Sequence, residues 1–149
     1  MKIHLGCGNN YLEGFVNIDR SPHCRTDIKH DVEAFPFPLP NDVAELIFIE
    51  HLVEHISKDN FLPFVRELHR ICKPGGIVDI RAPHYTCINA YTDFTHVRFM
   101  TEESFGYFCK DHRFRHFGVL YGVDFEFSRN EVFIEKTGPF TEVRYILTK

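Results

Sequence analysis

Two short apolar stretches lie near the start of the chain, KIHL at residues 2–5 and FVNID at residues 15–19. Both read as strands, and a glycine turn divides them. If they are parallel neighbours, the link between them must cross over, which ordinarily takes ten or more residues and a helix. The NNYLEG segment has room only for a turn or one short helical turn. The chain is thus constrained to an α/β architecture with a shortened first crossover and no helix ahead of the first strand. Gly6 and Gly8 let the backbone bend sharply and let a ligand approach its N–H groups. Asp19 ends the second strand, eleven residues after Gly8. An acid there can accept hydrogen bonds from ribose hydroxyls. The segment G-C-G-N-N-Y lacks the third glycine of G-x-G-x-x-G, and no Lys-Ser or Lys-Thr pair follows. These gaps count against a pyrophosphate ligand more than against a nucleoside. A plain tight turn is the alternative.

Further along, TDIKHDV (26–32) holds a brief third strand and a second acid, Asp31. AFPFPLP (34–40) has three alternating prolines, which remove donors and fix an extended loop. ELIFI begins a strand within residues 44–56. KDNFLPFVRELHRICKPGG (58–76) has the clearest helical period, with Phe61, Phe64, Val65, Leu68 and Ile71 at three- and four-residue steps. Asp59 is its expected cap and KPGG its end. GIVDIRAP then reads as a strand buried on both faces. TEESFGYFCKDH (101–112) carries a capping pattern and predicts a second helix. HFGVLYGVDFEF, NEVFIEKT and TEVRYILTK are expected to be strand-rich and to form the last strands, with an antiparallel pair at the sheet edge.

The length of 149 residues fits one domain, residues 1–149. A net charge of −4 gives no general attraction for nucleic acid. Five cysteines without a C-x-x-C pair disfavour a disulfide scaffold or zinc knuckle and suit reduced thiols in the cytoplasm. No apolar run reaches the ~20 residues that span a bilayer, and MKIHLGCG is no signal peptide.

Together, LGCG, VNID, the HD at Asp31, ELIFIEHLVEHI, LHRICKPGGIVDIRAPH and DFTHVRFMTEESF resemble the class I S-adenosylmethionine-dependent methyltransferases. The likeness spans roughly residues 2–108. It implies a Rossmann-like fold with a mostly parallel seven-stranded sheet and helices on both faces. It also implies S-adenosylmethionine as cofactor. Gly6, Cys7 and Gly8 would approach its methionine part, Asp19 would hold the ribose, and Asp31 would lie near adenine. Glu50 and His51 would face the methionine end and the acceptor.

Methyl transfer from a sulfonium needs alignment of nucleophile, methyl and leaving sulfur. A hydroxyl acceptor also needs a base. His96 is the leading candidate, with Asp93 orienting it or contacting substrate. His84 is the second candidate. Arg98 suits an anionic substrate group or a surface acid. Cys7 has no base beside it in sequence, so its small size explains it better than reactivity. If EHLVEH were helical, His51 would share a face with His55, and Glu50 with Glu54. That segment reads H-L-V-E-H, not the zinc motif H-E-x-x-H. It is similar to quinone-pathway methyltransferases that bind a divalent metal through acids and a histidine there, a likeness that implies His51 in one ligand position and part of the site kept by Glu54 and His55. His84, Asp93 and His96, with Cys87, could also gather around a metal. A divalent metal is thus the alternative to the metal-free hydroxyl methyltransferase expected here. The expected acceptor is a small hydroxylated metabolite or a glycan sugar, with neither nucleic acid nor membrane as partner. Phe99, Phe105 and Phe108 fit core, pocket walls or a homodimer surface. The rival classes are a non-catalytic nucleoside-binding scaffold and a nicotinamide-dependent reductase, which needs a roomier first crossover.

Overall fold

The computed structural model describes residues 1–149, the side chains of Arg129 and Thr137 excepted. Its strands are β1 (Lys2–Leu5), β2 (Val16–Asp19), β3 (Ile28–Lys29), β4 (Ala44–Glu50), β5 (Cys72–Pro83), β6 (Arg129–Thr137) and β7 (Phe140–Thr148). They form one seven-stranded sheet in the order β3-β2-β1-β4-β5-β7-β6. Strands β1 to β5 pair in parallel, while β7 runs antiparallel to β5 and β6. The order reverses between β1 and β4. A crevice opens at their carboxyl ends, where open α/β sheets bind ligands.

Apolar periodicity explains the centre. Ile3, Leu5, Ile47, Ile49, Val78 and Ile80 are buried on β1, β4 and β5. Helix α1 (Phe61–Ile71) buries Phe64, Val65, Leu68 and Ile71, each side chain contributing about 1.5–3 kcal/mol. Its cap position is Asn60, not Asp59, and no side chain caps it. The Asn60 amide instead donates to Glu33 Oε2 at 2.8 Å, and Ser57 donates to the same oxygen through both N–H and hydroxyl. Glu33 thereby ties the loop after β3 to the foot of α1.

The first crossover contains no helix, and Asn17 is the reason it can do without one. Its fully buried side chain accepts from Leu12 N–H at 2.9 Å. Its amide nitrogen lies 2.9 Å from Leu12 O, 3.0 Å from Phe15 O and 3.1 Å from Asp27 Oδ2. One amide side chain thus satisfies backbone groups that a helix would have paired internally. Asp27 also accepts from Asn17 N–H at 2.7 Å, which holds its carboxyl below the usual range.

EHLVEH, whose shared faces required a helix, is not helical. His51 has φ +52°, and only a 3₁₀ turn, Val53–His55, follows. Residues 101–112 do form a reciprocal cap. Thr101 N–H donates to Ser104 Oγ at 2.9 Å and Glu103 N–H to Thr101 Oγ1 at 3.3 Å. Only a 3₁₀ turn, Gly106–Phe108, grows from it, because Phe105 and Phe108 turn into the core beside Tyr145 and Phe61. Within HFGVLYGVDFEF, residues Arg115–Leu120 overlap as helix α3, since α2 is the four-residue turn Asn89–Thr92. Finally, the connections from β1 to β4 contain no helix among the described residues, and α1 is the longest helix. No helix among the described residues is long and apolar enough to cross a membrane.

Candidate active site

The glycine turn follows β1 directly. Gly6 and Gly8 have φ of +66° and +49°, values that side-chain-bearing residues adopt at a cost. A Cβ on Gly6 would stand 2.8 Å from Leu52 Cδ1, so Leu52 packs where only glycine leaves room. Gly6 and Cys7 N–H both donate to Ile18 O, which fixes the turn against β2. Asp19 closes the loop. Its Oδ2 accepts from Gly8 N–H at 2.9 Å and its Oδ1 from Ser21 N–H at 2.7 Å. Each carboxylate oxygen has a further lone pair for another donor.

A cleft of about 310 Å³ opens here, lined by Gly6, Asp19, Asp31, Leu52, His55 and Thr95 among others. Asp31 sits on its rim. It accepts from Glu33 N–H, which chiefly lowers its pKa, and from Arg20 at 3.1 Å. A second cleft of about 440 Å³ adjoins it, lined by His51, Glu54, His55, Pro83, Asn89, Thr92, Asp93 and His96. His55 lines both, so the two clefts meet at its ring.

The second cleft is built around a buried acid. Glu54 is 1% exposed, and neither carboxylate oxygen has a hydrogen-bond partner. His51 Nδ1 is 3.5 Å from Glu54 Oε1, at the limit of hydrogen-bond range, and His96 Nε2 is 4.0 Å away. Glu54 is the main cause holding the His51 pKa above the usual histidine value. The other His51 nitrogen, Nε2, meets Glu142 Oε1 at 2.8 Å. The ring is 47% exposed.

His96 is more enclosed, and its Nδ1 lies 3.0 Å from Ala90 O. That carbonyl, not the Asp93 carboxylate, orients the ring. Asp93 Oδ1 instead accepts from the Thr95 hydroxyl at 2.6 Å and Thr95 N–H at 2.8 Å, which lowers its pKa. Thr95 Oγ1 in turn meets His55 Nδ1 at 2.9 Å. Asp93 therefore orients His55 through Thr95.

The remaining candidates lie elsewhere. His84 is buried, held by Thr86 at 2.6 Å and Glu102 at 3.2 Å, and lines neither of these two clefts. His84 is therefore separate from the Glu54 group, and Cys87 lines a third hollow with His51 and Glu142. Glu50 accepts from Asn10 at 3.3 Å and lies 3.9 Å from Arg81. It braces the glycine loop from β4. Arg98 stacks on Phe61 at 3.8 Å and lines neither cleft. Thr95 and Glu142 were not singled out as functional from the sequence, and Glu54 and His55 were raised only through the doubled E-H of EHLVEH.

Cys7 contributes backbone to the turn, while its thiol is buried toward Arg25 O. Burial pushes the thiol up to about 11, so almost none is thiolate near neutral pH. Iodoacetamide on the native protein should label the partly exposed Cys24 well before Cys7, with peptide mass mapping as the readout. Equal labelling rates would contradict this burial.

The sequence matches the methyltransferase domain family over residues 4–80. No curated protein matches it. Among solved structures, an Archaeoglobus fulgidus SAM-dependent methyltransferase superposes with TM-score 0.70 at 15% identity, covering 99% of this chain and 85% of that one. An Aquifex aeolicus SAM-dependent methyltransferase gives 0.59 at 14% identity, covering 99% and 81%. A Haloferax volcanii chain, from a complex of the Trm112 methyltransferase activator with a methyltransferase, gives 0.64 at 14%, covering 99% and 81%.

Proposed function

From the premise that the chain belongs to the methyltransferase domain family, we propose that it transfers a methyl group from S-adenosylmethionine to a hydroxyl of a small metabolite or sugar. The meeting of the two clefts at His55 carries this reading. The first cleft suits the nucleoside, with Gly6, Cys7 and Gly8 turning the backbone around the methionine end. Asp19 offers its spare lone pairs to the ribose hydroxyls. Asp31 and Arg20 stand at the adenine side, and Glu50 holds the glycine loop through Asn10.

The second cleft suits the acceptor. Asn89, Thr92 and Asp93 offer polar contacts to a hydroxylated molecule. His51 is the base in this reading, in preference to His96 and His84, because its ring is half-exposed to that cleft. Glu142, 2.8 Å from Nε2, and Glu54, 3.5 Å from Nδ1, stabilise the imidazolium that forms when the ring takes a proton. The acceptor O–H gives its proton to the His51 ring, and the oxygen attacks the methyl carbon. The methyl–sulfur bond breaks with its electron pair passing to sulfur, and the sulfonium becomes a thioether. The catalytic work is mainly alignment of these three atoms. The net negative charge favours a small acceptor over nucleic acid, and five free thiols suit a reducing cytoplasm.

Calorimetric titration tests the first step. S-adenosylmethionine and S-adenosylhomocysteine should bind below about 1 mM, and NAD should give no heat. Methyl-labelled donor with a panel of sugars, polyols and phenols tests the second. Label must appear on oxygen. Label on nitrogen alone would remove the hydroxyl assignment.

A further inference from the structure

Three lone-pair-bearing atoms converge in the wall of the second cleft. One ligand atom each from Glu54, His55 and His96 lies within 4.8 Å of the others. Hydrogen bonds fix both imidazoles in the same state. Ala90 O can only accept, so His96 Nδ1 carries the hydrogen and Nε2 keeps its lone pair. The Thr95 hydroxyl gives its hydrogen to Asp93 Oδ1, so it accepts from His55 Nδ1–H, and His55 Nε2 is free. Between them stands Glu54, 1% exposed, with neither oxygen in a hydrogen bond and His51 Nδ1 at 3.5 Å from Oε1. A buried carboxylate without a donor is costly unless a cation neutralises it.

We propose that Glu54, His55 and His96 bind a first-row transition-metal dication of the zinc or cobalt class. Two imidazoles and one carboxylate suit such ions, while magnesium and calcium prefer all-oxygen sites. Three protein ligands leave a coordination position open. The other ring nitrogen of each histidine is held by an outer partner, Ala90 O or the Thr95–Asp93 pair, as metal-ligating histidines usually are. In a tetrahedral site ligand atoms about 2.1 Å from zinc stand about 3.4 Å apart, so a pair at the 4.8 Å limit must draw in by about 1.4 Å. The open position faces the cleft and would take an oxygen of the acceptor. That last step alone rests on the methyl-transfer reading. His51, tied to Glu142, is left outside the ligand set.

The full chain, stripped with chelator and dialysed, should take up one Zn²⁺ by calorimetry. Co²⁺ should give visible absorption bands of a low-coordinate site. Glu54→Gln and Thr95→Val should each weaken binding at least about tenfold, with circular dichroism melting confirming that both fold. Thr95 is exposed, so its variant keeps the test open if Glu54→Gln unfolds. Two results overturn the site: no uptake at about 1 mM metal, or uptake that neither variant weakens, which marks an exposed histidine instead. S-adenosylmethionine titration of the same samples separates the readings. Donor binding without metal uptake removes the metal alone, and metal uptake without donor binding removes the methyl-transfer reading alone.

Discussion

Replacing His51 with alanine is expected to lower turnover by about 10²–10⁴-fold, the range for losing a positioned general base. Affinity for S-adenosylmethionine should barely change, because His51 lines the second cleft and not the first. The split follows from geometry. The ring stands 2.8 Å from Glu142 and half-exposed where the acceptor would lie. Its backbone, at φ +52°, turns the chain out of β4, a conformation that costs histidine and alanine alike about 1–2 kcal/mol. Asparagine tolerates that conformation better, so His51→Asn should show the same loss of turnover without the strain. Glu142→Gln keeps an acceptor for Nε2–H but removes its charge, and should fall between wild type and His51→Asn. The measurement is kcat and donor affinity side by side, on an acceptor found by label transfer. Wild-type turnover in His51→Asn would remove the base assignment. A parallel fall in donor affinity would mean that His51 shapes the pocket instead.

Asp19→Ala should weaken S-adenosylmethionine binding by about 3 kcal/mol, or about 100-fold. Two losses combine. The ribose hydroxyls lose a charged acceptor, and Gly8 and Ser21 N–H lose the partners that hold the glycine turn. Asp19→Asn separates them, since its single oxygen can serve only one of these donors at full strength. It should bind more tightly than the alanine variant and more weakly than wild type. Thermal melting alongside calorimetry reports how much of the effect is loss of fold. Unchanged donor affinity in a folded Asp19→Ala protein would take the ribose from this acid.

The parts of this architecture written in periodic apolar residues are legible from sequence. The runs in KIHL, ELIFI and GIVDIRAP became β1, β4 and β5, and the three- and four-residue steps of Phe64, Val65, Leu68 and Ile71 became α1. Residues 101–112 were misread for a physical reason. The Thr101–Ser104 cap is present, but a cap supplies hydrogen bonds for one turn only. Burial of Phe105 and Phe108 then decided the path. HFGVL misled in the opposite sense, its aromatic and β-branched residues suggesting strand where α3 forms. In the site, Asp19 was legible because strand, turn and acid are neighbours in sequence. The Glu54 group was not. It joins a turn after β4 to a loop after β5, and its orienting bonds pass through Thr95 and the Ala90 carbonyl. A backbone acceptor leaves no mark in the residue types.

The helix-free first crossover has an electrostatic consequence for the ligand. A helix beginning at the glycine turn would direct the positive end of its macrodipole, roughly half an elementary charge, into the cleft. That field attracts phosphate and repels a sulfonium cation. Here the loop from Gly8 to Phe15 is held by Asn17 and carries no such pole. The charges that bond to the turn itself are the carboxylates of Asp19, on Gly8 N–H, and Glu50, on the Asn10 side chain. A side-chain amide that replaces a helix thereby changes the sign of the charge that the glycine turn welcomes.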